Sequence, residues 1–279
     1  MNSLANGKVT QNTPFREVFV PVGAADNGTA FGAAFHVWHR VLEKPRSFVL
    51  DHAYWGDEAS EAQCRDAVDG ELVDIQELDQ SSLITRTVDA LLEGKVIGWF
   101  QGRMEFGARA LGNRSLLADP RRADMQEIIN LKIKFREKFR PFAPSILEEH
   151  AGDWFEDVQS SPSMEKVLLV RPEKRRLIPA VVHVDGSGRL QTVSKLSNPL
   201  YHLLIEEFWK RTGVPILLNT SLNENEPIVQ TPKQALSCML RTKMDALVLG
   251  KWWVEREGGS SAEFTESRES FDSYLVPGK

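Results

Sequence analysis

Gly102 to Ser145 reads GRMEFGARALGNRSLLADPRRADMQEIINLKIKFREKFRPFAPS. Lysines and arginines run through the whole stretch, from Arg103 to Arg140, whereas its acids are only Glu105, Asp119, Asp124, Glu127 and Glu137. The chain as a whole carries a formal net charge of −5, so this positive cluster is local. Gly102, Gly107 and Gly112 separate the first three arginines and let the backbone approach whatever the guanidiniums hold. Planar five-donor arginines suit phosphate or carboxylate oxygens, and several on one point suit a multiply charged anion. The plainer reading is a solvated basic face. Against it, the arginines sit among Phe106, Ala110, Leu111, Leu116, Phe139, Phe142 and Pro144, residue types expected to be at least half buried. A buried guanidinium without a partner is costly, so a preformed anion pocket is the expectation.

The 279 residues suffice for one large or two modest domains, and 42% hydrophobic with 26% charged residues is ordinary globular composition. No apolar run approaches the roughly 18 residues of a membrane span, and MNSLANGKVTQ has no signal-peptide core. A cytoplasmic protein is expected. Cys64 and Cys238 form neither a disulfide framework nor a metal pattern. The acidic balance argues against broad nucleic-acid binding.

In chain order, EVFVPV (17–22) predicts a strand running into a glycine turn, Gly23 to Ala30, and a helix over FGAAFHVWH. Strand, glycine turn and helix start can present an anion to backbone N–H groups. His36 and His39, at i and i+3, are read as ordinary helix residues. The acidic segment after Gly56 is read as a linker or short helix. SLITRTVDALLE predicts an amphipathic helix stopped by Gly94, and KVIGWFQ a buried strand. Asp124 is expected to cap the next helix. Lys134 and Arg136, two apart, cannot both face inward unless that helix has ended. KVLLVR and AVVHV predict strands, Asp185-Gly186-Ser187-Gly188 a turn before Arg189, and Asn198-Pro199 the start of a long helix. Val214 to Leu218 predicts a strand whose polar end, Asn219 to Asn223, lies where α/β folds commonly place ligand contacts.

F-G-x-R-A-L-G-x-R-S and I-K-x-R-E-x-F-R-P-F-A-P-S resemble the C-terminal domain of the O-carbamoyltransferases that modify nodulation factors and antibiotics. His183-Val184-Asp185-Gly186 with Arg189, Gln191 and Thr192, and Leu218 to Asn223, agree with it. P-x-x-x-D-x-G-x-A-x-G-A-A at the front resembles the closing part of that family's actin-like ATP-binding domain, and the whole likeness runs from Met1 to about Val254. It implies an α/β (α+β) fold: a partial actin-like, Kae1-like lobe over residues 1–56, a linker over 57–80, a YrdC-like twisted mixed sheet over 81–256 and a tail over 257–279. It also implies carbamoyl phosphate held by Arg109, Arg114, Lys134, Arg136, Arg140 and Arg189, with Asn219 and Ser221 at the carbamoyl end and His183 and Asn223 as further substrate-binding candidates, His183 being equally readable as a core histidine. Asp26 would be a ligand of a divalent metal, iron or magnesium, and Gly28, Asn2 and Asn6 would lie near ATP. Released carbamate would be coupled to ATP as carbamoyl adenylate, then passed to a hydroxyl of a sugar or natural-product acceptor.

In this family the paired-histidine metal motif and most of the nucleotide pocket lie upstream of the matched segment. The expectation is therefore a fragment, truncated product or half of a split protein that retains binding or hydrolysis of carbamoyl phosphate without completing transfer, unless a separate chain supplies the other half. Two alternatives stand beside it: an RNA-binding module of YrdC-like shape, and a threonylcarbamoyl-adenylate-type synthase.

Overall fold

The computed structural model describes residues 2–257, so the expected tail lies almost wholly outside the described residues. The elements are α1 (Ser3–Asn12), α2 (Gly28–His36), α3 (Glu61–Val68), β1 (Val73–Glu77), α4 (Gln80–Leu92), β2 (Ile97–Phe100), β3 (Arg114–Ala118), α5 (Met125–Lys132) and β4 (Ala143–Leu147). They continue with α6 (Ala151–Trp154), β5 (Lys166–Leu169), β6 (Ser187–Val193), α7 (Pro199–Thr212), β7 (Ile216–Ser221), α8 (Pro232–Arg241), β8 (Ala246–Leu249) and β9 (Trp252–Arg256). The nine strands form one mixed sheet in the order β1-β9-β8-β2-β3-β7-β4-β6-β5. The pairs β2/β8 and β4/β6 are parallel and the others antiparallel. The expected mixed α/β class holds.

Strands β2, β3, β4 and β8 are buried along their whole length, and β2 and β8 have the unbroken apolar sequence of strands covered on both faces. Helix α4 is capped by Asp79, whose side chain accepts from the Ser82 N–H at 2.8 Å, and buries Leu83, Val88 and Leu91. Each such side chain contributes about 1.5–3 kcal/mol. Helix α1 lies directly against β5: a Cβ on Gly7 would sit 2.0 Å from the Val167 carbonyl oxygen, so only glycine permits the contact.

Four local readings are corrected. EVFVPV forms no strand and Phe19 is 85% exposed, because no neighbouring strand among the described residues offers it a ladder. The 57–80 stretch is no linker: α3, held by a Ser60–Gln63 capping box, packs on α8, and β1 pairs with β9 at the sheet edge. AVVHV is a short 3-10 turn and loop, since Pro179 starts a helical turn and the His183–Ser187 reversal follows at once. Asp124 makes no side-chain cap; its carboxylate is taken by Arg122 at 2.7 Å.

Residues before about 50 differ from the sheet. Helix α2 buries none of its residues, and Phe15, Val41 and Val49 are exposed at 66%, 64% and 76%. Segment 53–58 nevertheless belongs to the sheet domain: the Phe106 N–H donates to Ala53, Gly56 to Met104, and Glu58 bridges Arg103. No helix of the described residues is long and apolar enough to cross a membrane.

Candidate anion site

The loop joining β2 to β3 covers residues 101–113, carries Glu105 and Arg109, and leads into Arg114, the first residue of β3. The alternation of side chains along a strand places Arg189 and Gln191 on one face of β6, Ser145 on β4, and Asn219 and Ser221 on β7. Their contacts show a shared face. Ser145 donates to Gln191 at 2.6 Å, and Asn219 Nδ2 donates to Ser145 Oγ at 3.0 Å and Gln191 Oε1 at 3.1 Å. Gln191 in turn donates to the Leu111 carbonyl at 2.8 Å, fastening the loop onto the face.

Three cations from separate segments gather here. Arg109 comes from the β2–β3 loop, Arg136 from just beyond α5, and Arg189 from β6. All are partly buried. Burial first, and then the positive charges of Arg109 and Arg136, together push Arg189 down to about 10. Arg109 is lowered by burial; Arg136 by burial and then by Arg140. Among the described residues, Arg109 and Arg189 have no ion-pair partner, and the enclosed Nε of Arg189 has no acceptor. Arg136 is steadied by Asn130, which accepts from its Nε at 2.7 Å, and by the ring of Phe142 at 5.1 Å. Burial of unpaired like charges lowers stability, so this cluster has the electrostatics of a site completed by an anion.

The other predicted residues fall differently. Arg114 is wholly buried, but its guanidinium lies 3.6 Å over Phe100 and donates to the carbonyls of Gln101 at 2.6 Å, Asn113 at 3.0 Å and Gly102 at 3.1 Å. It braces the ends of β2 and β3 and leaves the anion to others. Lys134 is likewise a clamp: its ammonium donates to the carbonyls of Ser221 at 2.6 Å and Asn223 at 2.7 Å, and also to the Asn223 amide oxygen. Burial, followed by Arg136, pushes it down to about 7. Ser221 and Asn223 therefore hold Lys134. The helix ends before Lys134, which lets Lys134 and Arg136 both turn inward. Arg140 is exposed and paired with Glu137 at 2.9 Å. Phe139, expected in buried company, is 79% exposed.

His183 is half-buried, with Nδ1 3.0 Å from Ser187 Oγ. Burial pushes it below its ordinary value, Asp185 opposes the fall and Arg189 adds to it, so His183 borders the cation cluster. Asn219 is buried with its Oδ1 unpartnered. Sequence reasoning missed Gln191 and Ser145 as the platform's core, and Tyr54, whose hydroxyl donates to Leu111 at 3.0 Å. The first two stand inside the matched motif blocks, and strand parity is what separates them from their neighbours there.

The front of the chain does not build the predicted nucleotide and metal sites by itself. In the Gly23–Ala30 turn, Ala25, Gly28, Thr29 and Ala30 donate their N–H groups to carbonyls within the turn, leaving few for a phosphate. Asn2 caps α1 and Asn6 donates to the Glu165 carbonyl at 2.9 Å. Asp26 is exposed, and no group of three or more His, Cys, Asp or Glu among the described residues is arranged to hold a metal. One exposed carboxylate does not fit a divalent ion without further ligands. The turn does border the cation loop: Gly23, Ala25 and Asn27 line a cavity of about 120 Å³ together with Gly107 and Arg109. A larger cavity of about 950 Å³ lies elsewhere, between Val18, Phe19, Phe48 and the 159–166 segment.

The sequence is similar to that of several known proteins. Nodulation protein NolNO of Sinorhizobium fredii is 42% identical over 98% of the chain and 41% of that protein. Nodulation protein NolO of Bradyrhizobium diazoefficiens is 42% identical over 98% of the chain and 51% of its own length. The 3'-hydroxymethylcephem-O-carbamoyltransferase of Streptomyces clavuligerus is 36% identical over 91% of the chain and 47% of that enzyme. The chain thus spans about half the length of the curated relatives it matches. Residues 88–256, which carry every cation of the cluster, match the model described as carbamoyltransferase C-terminus. The chain belongs to the carbamoyltransferase family, through that family's C-terminal domain.

Proposed function

We propose that this chain is the carbamoyl-phosphate-handling part of an O-carbamoyltransferase. The observation that carries the reading is the meeting of Arg109, Arg136 and Arg189, partly buried and without an acid partner for Arg109 and Arg189 among the described residues. Carbamoyl phosphate is a small dianion, and three converging guanidiniums would neutralise it and stabilise charge gathering on departing phosphate. Water would add to the carbamoyl carbon, the bond from that carbon to the bridging oxygen would break, and phosphate would leave with the electron pair. Carbamate and a proton would be the other products. Asn219, whose Oδ1 lacks a donor, is suited to the carbamoyl amide.

Transfer onward to a sugar or natural-product hydroxyl, with ATP and a divalent metal, belongs in this reading to the complete protein, in a cytoplasmic setting. This chain offers Asp26 and Gly28 to that chemistry, while the other ligands would come from the remaining half, in the same polypeptide or a separate one. That half would cover the exposed apolar residues Phe15, Phe19, Val41 and Val49.

The test is a phosphate-release assay on the purified chain with carbamoyl phosphate, paired with calorimetric titration of inorganic phosphate. Binding at one site, displaced by carbamoyl phosphate, is expected; no binding of either anion would end the proposal. Exposed Phe139 between Lys138 and Arg140 favours a second reading, single-stranded RNA stacked on a basic rim. Tight, steeply salt-dependent binding of tRNA would favour that reading.

A further inference from the structure

Glu105 stands alone among positive neighbours in the basic stretch and is 4% exposed. Asp119, the other buried acid there, is bridged by Arg121 at 2.6 Å. Glu105 has no ion pair at all among the described residues. Its Oε1 instead accepts three backbone N–H groups, from Leu111 at 2.6 Å, Asn113 at 2.8 Å and Arg114 at 3.3 Å, while Oε2 has no partner.

Those amides belong to the second half of the loop that carries Arg109. The Leu111 peptide is pinned on both sides, its N–H by Glu105 and its carbonyl by Tyr54 and Gln191. Gly112, at φ +105, passes so close to Tyr201 that a Cβ would lie 2.2 Å from the ring. Upstream the loop is freer: Gly107 and Ala108 are exposed and Gly107 sits at φ +145. Arg109 therefore stands where the free half meets the pinned half. Burial raises the Glu105 carboxyl above its ordinary value, and the amides it gathers, with Arg114, oppose that rise and anchor the loop to it.

We infer that Glu105 is a positioning residue that acts through Arg109: it holds the Leu111–Arg114 backbone so that Arg109 stays beside Arg189. The inference rests on the reading of that cluster as an anion site. Its own carboxylate touches no substrate.

The experiment is a double-mutant cycle on the full chain, titrated with inorganic phosphate by calorimetry, with Glu105→Ala, Glu105→Gln, Arg109→Ala and each double variant. Glu105→Ala should weaken phosphate about tenfold and Glu105→Gln, which keeps an acceptor without the charge, roughly threefold. In the Arg109→Ala background neither should cost anything further, a non-additivity that general destabilisation would not produce. Additive losses, or an unchanged affinity in both single variants, overturn the inference while leaving the anion site standing. If Arg109→Ala alone leaves phosphate affinity untouched, the anion-site reading fails and the inference with it. Should Glu105→Ala fail to fold, the Glu105→Gln cycle decides between the same outcomes.

Discussion

Two sets of cations from one basic stretch have opposite surroundings. Arg114 and Lys134 are enclosed by carbonyl and amide oxygens and act as struts, whereas Arg109 and Arg136, joined by Arg189, meet one another with little to balance them. Burial is common to both sets; acceptors separate them. Both Arg114 and Arg189 keep an unpartnered Nε, so what distinguishes Arg114 is its carbonyl acceptors at the other two nitrogens, the surroundings of a cation that serves the fold.

Arg114→Met should give the largest effect of the experiments that can break this contrast. It leaves several carbonyls unpaired in the core and should cost about 3 kcal/mol or more of stability, read by urea unfolding. The folded protein should still bind phosphate; loss of binding at full stability would place Arg114 in the site. Arg189→Ala should do the reverse. Phosphate affinity should fall by roughly one to two orders of magnitude, while the melting temperature holds or rises as repulsion with Arg109 and Arg136 is relieved. A marked fall in melting temperature would mean Arg189 is a strut like Arg114. The smallest effect concerns His183. Its pKa is depressed by burial and by Arg189, so an anion seated among the arginines should raise it. An imidazole NMR titration with saturating sulfate should show that upward shift, and sulfate should bind more tightly as pH falls through the shifted range. An unmoved His183 would put the anion elsewhere.

Much of the sheet domain could be read locally. Apolar runs marked β2 and the start of β7, Gly94 and Asn198-Pro199 marked helix boundaries, and apolar spacing marked α4. Misreadings arose where pattern and context part. EVFVPV alternates like a strand, but a strand exists only by pairing, and none of the described residues pairs with it. The 57–80 stretch is acidic enough to pass for a linker, yet Val73 to Glu77 is exposed mainly because it is an edge strand against β9. In the site, the arginine-rich blocks were visible at once, but nothing local separated Arg114 from Arg109, five positions apart with glycines nearby.

The sequence by itself determined the family and the mixed α/β class and where its basic blocks lie, because charge density, apolar runs and motif order are properties of the chain. The tertiary structure alone decided which cations are left facing one another. That outcome depends on carbonyls of β2, β7 and their loops, donated from residues as distant as Ser221 from Lys134. Backbone acceptors have no letter in a sequence; they become partners only when the sheet closes.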